Sequence, residues 1–448
     1  MIPSLFVLVF CVCLLSSSVE ATGIRKRRQR GDQLLRIPIE SKSRERVGDR
    51  WLLEKELYGS DQTAGSDLVN LDFEENKLGR ELASFFSMSM SMSMSQNDDI
   101  SCSLPPAFDG TVQNKIHVIM NINTGEYFEL LMDGMIQQAS KVENVEIEVF
   151  TSQDQNETSQ SELIEQAIED GATGIITVDG SSTTLCDSIR SAIDAGIPVL
   201  SFDFDAPDTC APTGHLLTSQ SDSDMADLVL MQAAMAYNSD EDASEVRVGY
   251  VNDLHFQPLQ NRNVVWEAYS KKYGWDQEFF VQDAASFLTP EDLQNAIIEE
   301  FIFLEEKLSN STISATDVQF VYTPWDYLAI NTLEALELIE ADVDVYGADI
   351  NNEDIAAMTK PGSHWKATAG GHPKMIGAAI TRMSLLQIAS GVEEEGQKPE
   401  RYIKIPSLLF TQEFLLENNV ASLSDLVDVM PELRLEDTAN ACWIAPID

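Results

Sequence analysis

Positive charge is scarce in this sequence. Its 448 residues include 29 Lys and Arg against 74 Asp and Glu, which gives a formal net charge of −45 at pH 7. A surface of this sign repels nucleic-acid phosphates and anionic lipid, so neither is expected as a partner. Strong net charge also keeps a protein soluble and apart from its own copies, and we therefore expect a monomer.

Catalytic signatures are also missing. The sequence has no G-x-S-x-G elbow, no P-loop lysine motif, no H-E-x-x-H motif and no G-x-G-x-x-G after a predicted strand. It holds only five His, and His117 falls inside a predicted strand, where a core imidazole is expected. The acidic stretch 349–354 lacks the turn glycine of a calcium loop. We therefore predict a protein without catalysis, metal or cofactor.

Long hydrophobic runs are absent after the first segment. An apolar run from Ile2 to Leu15 is followed by small residues, which predicts a secretory signal peptide over 1–21. No later run of 18 apolar residues and no clear lipid-anchor pattern occurs, so a secreted or secretory-lumen location is expected. Sequons at Asn156 and Asn310 would be glycosylated in a eukaryotic secretory pathway.

Cysteine is rare as well. Beyond the predicted signal peptide only Cys102, Cys186, Cys210 and Cys442 remain, an even set that predicts disulfides in an oxidising route. Three pairings are possible. Cys186 and Cys210 both follow predicted parallel strands, which favours their pairing and leaves Cys102 for Cys442. Zinc binding is disfavoured because no CxxC spacing and no nearby His is present.

The chain changes character after about residue 110. Residues 22–110 contain a basic patch and a Ser-Met repeat, which indicates a flexible leader or propeptide. Beyond them, short β-branched runs alternate with amphipathic helical stretches, a pattern that predicts two doubly wound, parallel α/β sheets. The runs predicted as strands lie at 116–122, 145–150, 174–179, 198–203, 245–251, 279–282, 318–324, 343–349 and 365–371.

Polar and aromatic residues follow these predicted strands. Carboxylates and amides bind hydroxyl groups, and flat rings cover the apolar faces of a sugar, so the mixture favours a cleft for a neutral polyol. An ordinary helix cap or core contact explains any one of them alone. The candidates are Asn121, Tyr127, Phe128, Asp203, Phe204, Trp325, Asp349 and His372.

Seven ordered blocks between about residues 115 and 412 resemble the type 1 periplasmic binding proteins, in particular their ribose/galactose-binding branch. The blocks include IHVIMNINTGEYFELLMDGMIQQA, AIEDGATGIITVDGSS, AGIPVLSFDFDAP, VQFVYTPWDYLAINTLEAL, DVYGAD and HPKMIGAAI, together with Arg262 followed by Trp266. The resemblance implies that Gln260 and Arg262 join the ligand site. Phe204, Trp325 and His372 depart from the arginine, asparagine and glutamine that the family often has.

The resemblance also implies how the chain is divided. One lobe is expected from 111–217 with 372–397 and the other from 218–371 with 398–415, followed by a C-terminal extension over 416–448. Three crossings near 216–220, 370–373 and 393–401 would form a hinge, and a ligand would close the lobes around it.

Three functions remain open from the sequence. The leading one is a secreted, non-catalytic solute-binding protein for a monosaccharide or related polyol, working with a membrane transporter or receptor. A ligand-sensing or adhesive extracellular module that acts through a membrane partner is the alternative. A carboxylate-based glycoside hydrolase, with Asp203, Asp349 and His372 as acid, base and orienting group, ranks third.

Overall fold

The computed structural model describes residues 103–448 except 122–124, 153–156, 180–181, 204–213, 239–245, 285–288, 309–317, 392–401, 437, 440 and 448. The described residues all belong to one compact unit, Asn97–Asp448. The predicted signal peptide therefore lies outside the described residues. Within the described part, no helix combines the length and apolarity needed to cross a membrane.

The first lobe is built on a six-stranded parallel sheet with strand order β11-β5-β4-β3-β1-β2. Its strands are β1 (Asn114–Met120), β2 (Val145–Thr151), β3 (Gly174–Val178), β4 (Val199–Phe202), β5 (His215–Gln220) and β11 (Tyr402–Ile405). Helices α1 (Glu126–Ala139) and α9 (Pro373–Ser390) share one apolar core with the sheet. Helices α2 (Glu157–Glu169) and α3 (Ser182–Asp194) share a second core with it.

The second lobe repeats this architecture with strand order β12-β10-β9-β8-β6-β7, and only the β10–β12 pair is antiparallel. Its strands are β6 (Arg247–Val251), β7 (Asp276–Val281), β8 (Phe320–Tyr322), β9 (Asp344–Tyr346), β10 (Trp365–Gly370) and β12 (Leu408–Thr411). The helices are α4 (Asp222–Tyr237), α5 (Gln257–Tyr273), α6 (Pro290–Leu308), α7 (Asp326–Leu338), α8 (Asn352–Thr359), α10 (Gln412–Glu417) and α11 (Leu423–Val429).

The strand sequences explain why both sheets are covered on two faces. Strand β3 reads GIITV and is buried at every position, and β4 and β8 are buried throughout as well. Continuous apolar runs of this kind are typical of parallel sheets that carry helices on both sides. The predicted two-lobed α/β class is thus confirmed, and each predicted strand run overlaps an observed strand.

The third crossing between the lobes differs from the prediction. Strand β11 pairs in parallel with β5 and so belongs to the first sheet, whereas the resemblance predicts residues 398–415 in the second lobe. The crossing lies between Ile405 and Leu408. Pro406 follows β11 and lacks the backbone N–H that would extend the ladder, which is a physical reason for the strand to end there.

The predicted boundaries of the leader and the C-terminal extension also need correction. Phe108 is buried in the core of the first lobe, so the folded unit begins before residue 111. Residues 416–448 are not a separate extension, because Leu423 and Leu433 pack into the core of the second lobe and Leu435 and Ile444 into that of the first. The chain therefore passes between the lobes a fourth time, from Leu433 to Leu435.

Two of the four predicted disulfide cysteines can be described. Cys186 and Cys442 are both disulfide-bonded. Cys210 and Cys102, the predicted partners, lie outside the described residues, as do the sequon residues Asn156 and Asn310. The pairing and the glycosylation therefore stay predictions.

Candidate functional site

A row of polar residues lies along the carboxyl edge of the first sheet. The register pairs Met120 with Val178 and Val178 with Phe202, so the next residues, Asn121, Asp179 and Asp203, lie on neighbouring strands ~4.8 Å apart. Their backbone N–H groups continue the ladder, with N···O distances of 3.2, 3.2 and 3.1 Å to the adjacent strands. The site therefore begins with an amide and two carboxyl groups in one row.

The two aspartates of this row share an unusual backbone conformation. Asp179 has φ 48° and Asp203 has φ 52°, and Asp349 at the second sheet has φ 71°. Aspartate tolerates this left-handed region better than most residues. One carboxyl oxygen of Asp179 (Oδ2) and one of Asp203 (Oδ1) is buried with no hydrogen-bond partner among the described residues. Each has capacity for a further donor.

Tyr127 and Phe128 occupy the first turn of α1, as the pattern predicts for residues after β1. Their rings meet edge to face with centroids 5.4 Å apart, and both pack into the first core. The Tyr127 hydroxyl accepts a hydrogen bond from Gln220 Nε2 at 2.8 Å. Gln220 Oε1 in turn accepts from the Gly371 N–H at 2.7 Å. Gln220 thus fixes Tyr127 to two of the crossings between the lobes.

The second lobe contributes a buried ion-pair network. Arg262 donates from Nε to Asp222 Oδ1 at 3.0 Å and from Nη1 to Asp349 Oδ2 at 2.9 Å. It also donates to the Pro324 carbonyl. All three charged side chains are buried. Because these partners occupy the guanidinium, Arg262 orients Asp349 and Asp222 in addition to any contact it makes with a ligand.

Carboxyl groups of the two lobes influence one another electrostatically at this point. Burial is the largest cause that raises the pKa of Asp179 to about 7, and the Asp349 and Asp222 carboxylates add to it while Arg262 opposes it. Burial raises the pKa of Asp222 to about 6 and that of Asp203 well above its usual range. Carboxyl groups of both lobes therefore face a common cleft with little water around them.

Aromatic rings cover another part of the cleft. Trp325, the residue that caps α7, packs against Tyr327 and lies edge to face with Phe256, the centroids being 5.3 and 6.2 Å apart. Phe256 also packs against the core of the first lobe, so it bridges the two lobes. The aromatic wall therefore contains Phe256 beside the predicted Trp325.

The remaining predicted residues differ in their placement. His372 precedes α9 and is 6% exposed, and burial, with a smaller effect of Lys374, lowers its pKa to about 4. It is neutral at physiological pH, which disfavours a charged catalytic role. Gln260 is exposed and donates to the Leu254 carbonyl, so the structure does not bring it to the cluster. Phe204 lies outside the described residues.

The lobes touch directly at the first turns of α1 and α8. Glu126 accepts from Asn352 Nδ2 at 2.6 Å and from the Glu353 N–H at 3.1 Å. A carboxylate at a helix N-terminus is favoured by the unpaired N–H groups there. These bonds join the lobes at the rim of the cleft, so the structure shows a closed arrangement.

Four residues of the site were missed from the sequence: Asp179, Gln220, Asp222 and Phe256. Asp179 ends GIITVD just as Asp203 ends PVLSFD, so the strand-end pattern was sufficient to find it. Asp222 stands in the Ser-rich start of α4, where acidic residues usually cap a helix, and this hid its contact with Arg262. Gln220 and Phe256 carry no such signal.

The described part of the chain contains no group of three or more His, Cys, Asp and Glu side chains that could hold a metal ion. The arrangement suits reversible binding. It offers buried acceptors, a fixed phenol and aromatic surface in a cleft between two lobes.

Known proteins share this fold. Residues 116–224 match the family model described as periplasmic binding protein domain, which confirms the resemblance for the first lobe. A sugar ABC transporter protein from Yersinia enterocolitica is 20% identical with a TM-score of 0.66, and the match spans 78% of this chain and 98% of that one. No curated protein matches the sequence.

Two further structures contain ligands. The 5-methylthioribose transporter solute binding protein from Thermotoga lettingae, solved with 5-methylthioribose, is 23% identical with a TM-score of 0.61 over 71% of this chain and 93% of that one. A solute binding protein from Bacillus halodurans with bound myo-inositol is 20% identical with a TM-score of 0.54 over 68% and 96%. At these identities the comparisons show the fold, which is that of type I periplasmic binding proteins.

Proposed function

We propose that this chain is a non-catalytic solute-binding protein that takes a monosaccharide or related polyol into the cleft between its lobes. The observation that carries the proposal is the row of Asn121, Asp179 and Asp203 facing the Arg262–Asp349 pair across that cleft. Such paired acceptors and donors bind vicinal hydroxyl groups, and the nearby rings cover the C–H faces of a sugar. The ligand-bound structures of the same fold support it.

The proposed setting is extracytoplasmic, with a membrane transporter or receptor as the partner of the closed form. The predicted signal peptide over 1–21 and the disulfide-bonded state of Cys186 and Cys442 support this setting, since disulfides persist in oxidising compartments. Ligand binding would favour closure of the lobes, and the partner would recognise the closed form.

Thermal unfolding with candidate ligands tests the proposal. Aldopentoses, aldohexoses, their amino derivatives and cyclic polyols are each added at millimolar concentration, with amino acids as a negative class. A ligand present at 100 times its dissociation constant stabilises the fold by about 2.7 kcal/mol. Calorimetry then gives the dissociation constant of any stabilising compound, and product analysis after prolonged incubation tests for turnover.

Two variants make the test specific to the cleft. Asp203→Asn removes a buried acceptor of the cleft and should weaken binding by about 1–3 kcal/mol. Asp194→Asn removes the same charge at the exposed end of α3 and should bind like the wild type. Stabilisation by amino acids alone, equal loss in both variants, or hydrolysis of a glycoside would overturn the proposal.

A further inference from the structure

The cleft holds more carboxyl groups than cations. Asp179 and Asp203 come from the first lobe and Asp222 and Asp349 from the second. In the described part of the chain, Arg262 is the only cationic side chain that forms an ion pair with any of the four. It is also the only positive charge that lowers the pKa of Asp179 or Asp203. Four acidic groups therefore face one guanidinium.

The single cationic side chain, Arg262, is already paired within its own lobe. Arg262 binds Asp222 through Nε and Asp349 through Nη1 and Nη2, and it also donates to the Pro324 carbonyl. Two carboxylates of its own lobe already pair with its single charge. Asp179 and Asp203 keep buried oxygens without a hydrogen-bond partner among the described residues. Within the described residues, Asp179 and Asp203 are therefore the acidic groups of the cleft that lack a cationic partner.

The neighbouring sequence supplies no other counter-charge. The segments that follow the strands of the first sheet, 122–124, 180–181 and 204–213, contain neither Lys nor Arg. Lys374, which precedes the body of α9, pairs with Asp133 of α1 at 3.1 Å. A buried carboxylate with no cation nearby is costly, and the cost disappears when a positive group arrives with suitable hydrogen bonds.

Resting on the proposed function, we propose that the natural ligand is a protonated amine, an amino sugar or a comparable ammonium-bearing polyol, whose ammonium group binds between Asp179 and Asp203. The two residues are successors of the register pair Val178 and Phe202 on adjacent strands ~4.8 Å apart. An ammonium group offers three donors and can bridge carboxylates at this spacing, since each charge-assisted N–H···O bond is about 2.8 Å long.

Proton release distinguishes an ammonium from a neutral hydroxyl. Burial and the Asp222 and Asp349 carboxylates raise the pKa of Asp179 and Asp203, Arg262 opposes them, and the Tyr127 hydroxyl faces the same space. A bound ammonium favours the ionised carboxylates, so binding near pH 6.5 should release a proton. The hydroxyl groups of a neutral sugar carry no charge, so they favour the ionised carboxylates less and should release fewer protons.

Matched sugar pairs test the inference by calorimetry at about pH 6.5. The probes are D-glucosamine with D-glucose, D-galactosamine with D-galactose and D-mannosamine with D-mannose, and the N-acetylated form of each amine controls for size. In at least one pair the amine should bind about tenfold or more tightly than both neutral forms. Titrations in two buffers of different ionisation enthalpy should show greater net proton release for the amine than for its neutral forms.

Variants assign the preference to the two carboxyl groups. Asp179→Asn and Asp203→Asn should each weaken amine binding about tenfold or more. The loss of affinity for the neutral sugar should be several-fold smaller than the loss for the amine. Asp194→Asn, on the exposed end of α3, should leave both affinities unchanged. Circular dichroism and melting temperature confirm that each variant is folded, and the wild-type sugar pairs decide the question if one is not.

The outcomes separate this inference from the proposed function. If in every pair a neutral form binds as tightly as the amine, the inference is overturned and sugar binding stays intact. Failure of every sugar, charged or neutral, to bind or stabilise the protein overturns both. Tighter amine binding that survives both Asp→Asn changes also overturns the inference, because the charge preference would then arise elsewhere.

Discussion

Arg262 positions two acidic residues of the site through buried ion pairs. Its guanidinium lies between Asp222 and Asp349 and is almost fully buried. The attraction within such a buried network roughly offsets the cost of removing its charges from water, but loss of one member leaves the others unpaired. The side chain predicted as a ligand contact is thus also a structural centre of the second lobe.

Replacement of Arg262 by Met should therefore be strongly destabilising. Asp222 and Asp349 would remain buried without their cation, and we expect the free energy of unfolding to fall by about 3–5 kcal/mol in urea denaturation. Arg190→Met is the matched control, because Arg190 is exposed and pairs with Asp187 on the surface of α3. That change should cost at most about 1 kcal/mol. Equal losses in the two variants would contradict the role assigned to Arg262.

The raised pKa of Asp179 predicts how stability depends on pH. Burial raises this pKa from 3.8 to about 7, so between these values the native protein holds a proton that the unfolded chain has lost. The contribution of Asp179 to the free energy of unfolding therefore falls as pH rises through this window. Because Asn does not titrate, Asp179→Asn should gain stability relative to the wild type by up to about 1.4 kcal/mol for each pH unit.

Denaturation of ligand-free protein at several pH values between about 4 and 8 checks this expectation. Taking the difference between variant and wild type cancels the opposite effect of His372, whose pKa is lowered. Asp194→Asn, an exposed change at the end of α3, is the control for the substitution itself. A constant difference for Asp179→Asn would mean that its carboxyl group is well solvated or paired in the native state.

Among the elements, helices α1 and α9 make the closest contact. A Cβ added to Gly377 would lie 2.0 Å from the Leu131 carbonyl oxygen, and one added to Gly134 would lie 1.9 Å from the Lys374 carbonyl oxygen. Two glycines therefore allow the two backbones to touch. Because α1 carries Tyr127 in its first turn and α9 follows the second crossing, this contact also sets the position of the phenol in the cleft.

Gly377→Ala should force α1 and α9 apart. We expect a loss of about 1–3 kcal/mol in the free energy of unfolding, and weaker ligand binding because Tyr127 moves with its helix. Gly174→Ala is the control, since its Cβ would approach within 3.0 Å only the Ile388 Cδ1 atom, the flexible end of a side chain. If Gly377→Ala proved no more destabilising than Gly174→Ala, the close contact of the helices would not be a constraint.

Elements that repeat a clear local pattern could be predicted from sequence, and the others could not. GIITVD and PVLSFD are apolar runs that end in aspartate, and each is a strand followed by a site residue. Strands β5, β11 and β12 were missed because HLLTSQ mixes polar and apolar residues and the other two are four residues long. Their strand character depends on partners distant in sequence, such as β5 for β11.

For the whole molecule, the two-lobed fold followed from the alternation of strands and helices, while the paths between the lobes did not. The third crossing was placed too early because the pairing of β11 with β5 is not visible locally. The sequence pattern predicts the segment after residue 416 as a C-terminal extension. Its apolar runs are short and irregularly spaced. Their spacing therefore does not show that they divide between the cores of two lobes.

The fourth crossing should limit how far the lobes open. Between Leu433 in one core and Leu435 in the other, a single residue spans the lobes. The first-lobe side is held by Arg382, which donates to the carbonyls of Leu435 and Thr438 at 2.7 and 3.1 Å. Three crossings near a hinge axis permit rotation, whereas an anchored connection beside them restricts it.

A chain that ends at Met430 should therefore open further without ligand than the full chain does. Small-angle scattering should show a larger radius of gyration for ligand-free protein, while saturating ligand brings the two forms closer together because closure satisfies the same cleft contacts. If the truncated chain does not fold, Arg382→Met provides the test by releasing the Leu435 and Thr438 carbonyls. Arg434→Met, an exposed change in the same segment, should scatter like the wild type. If the ligand-free full chain scatters identically to the folded truncated chain, or to folded Arg382→Met, the three hinge crossings alone set the range of opening.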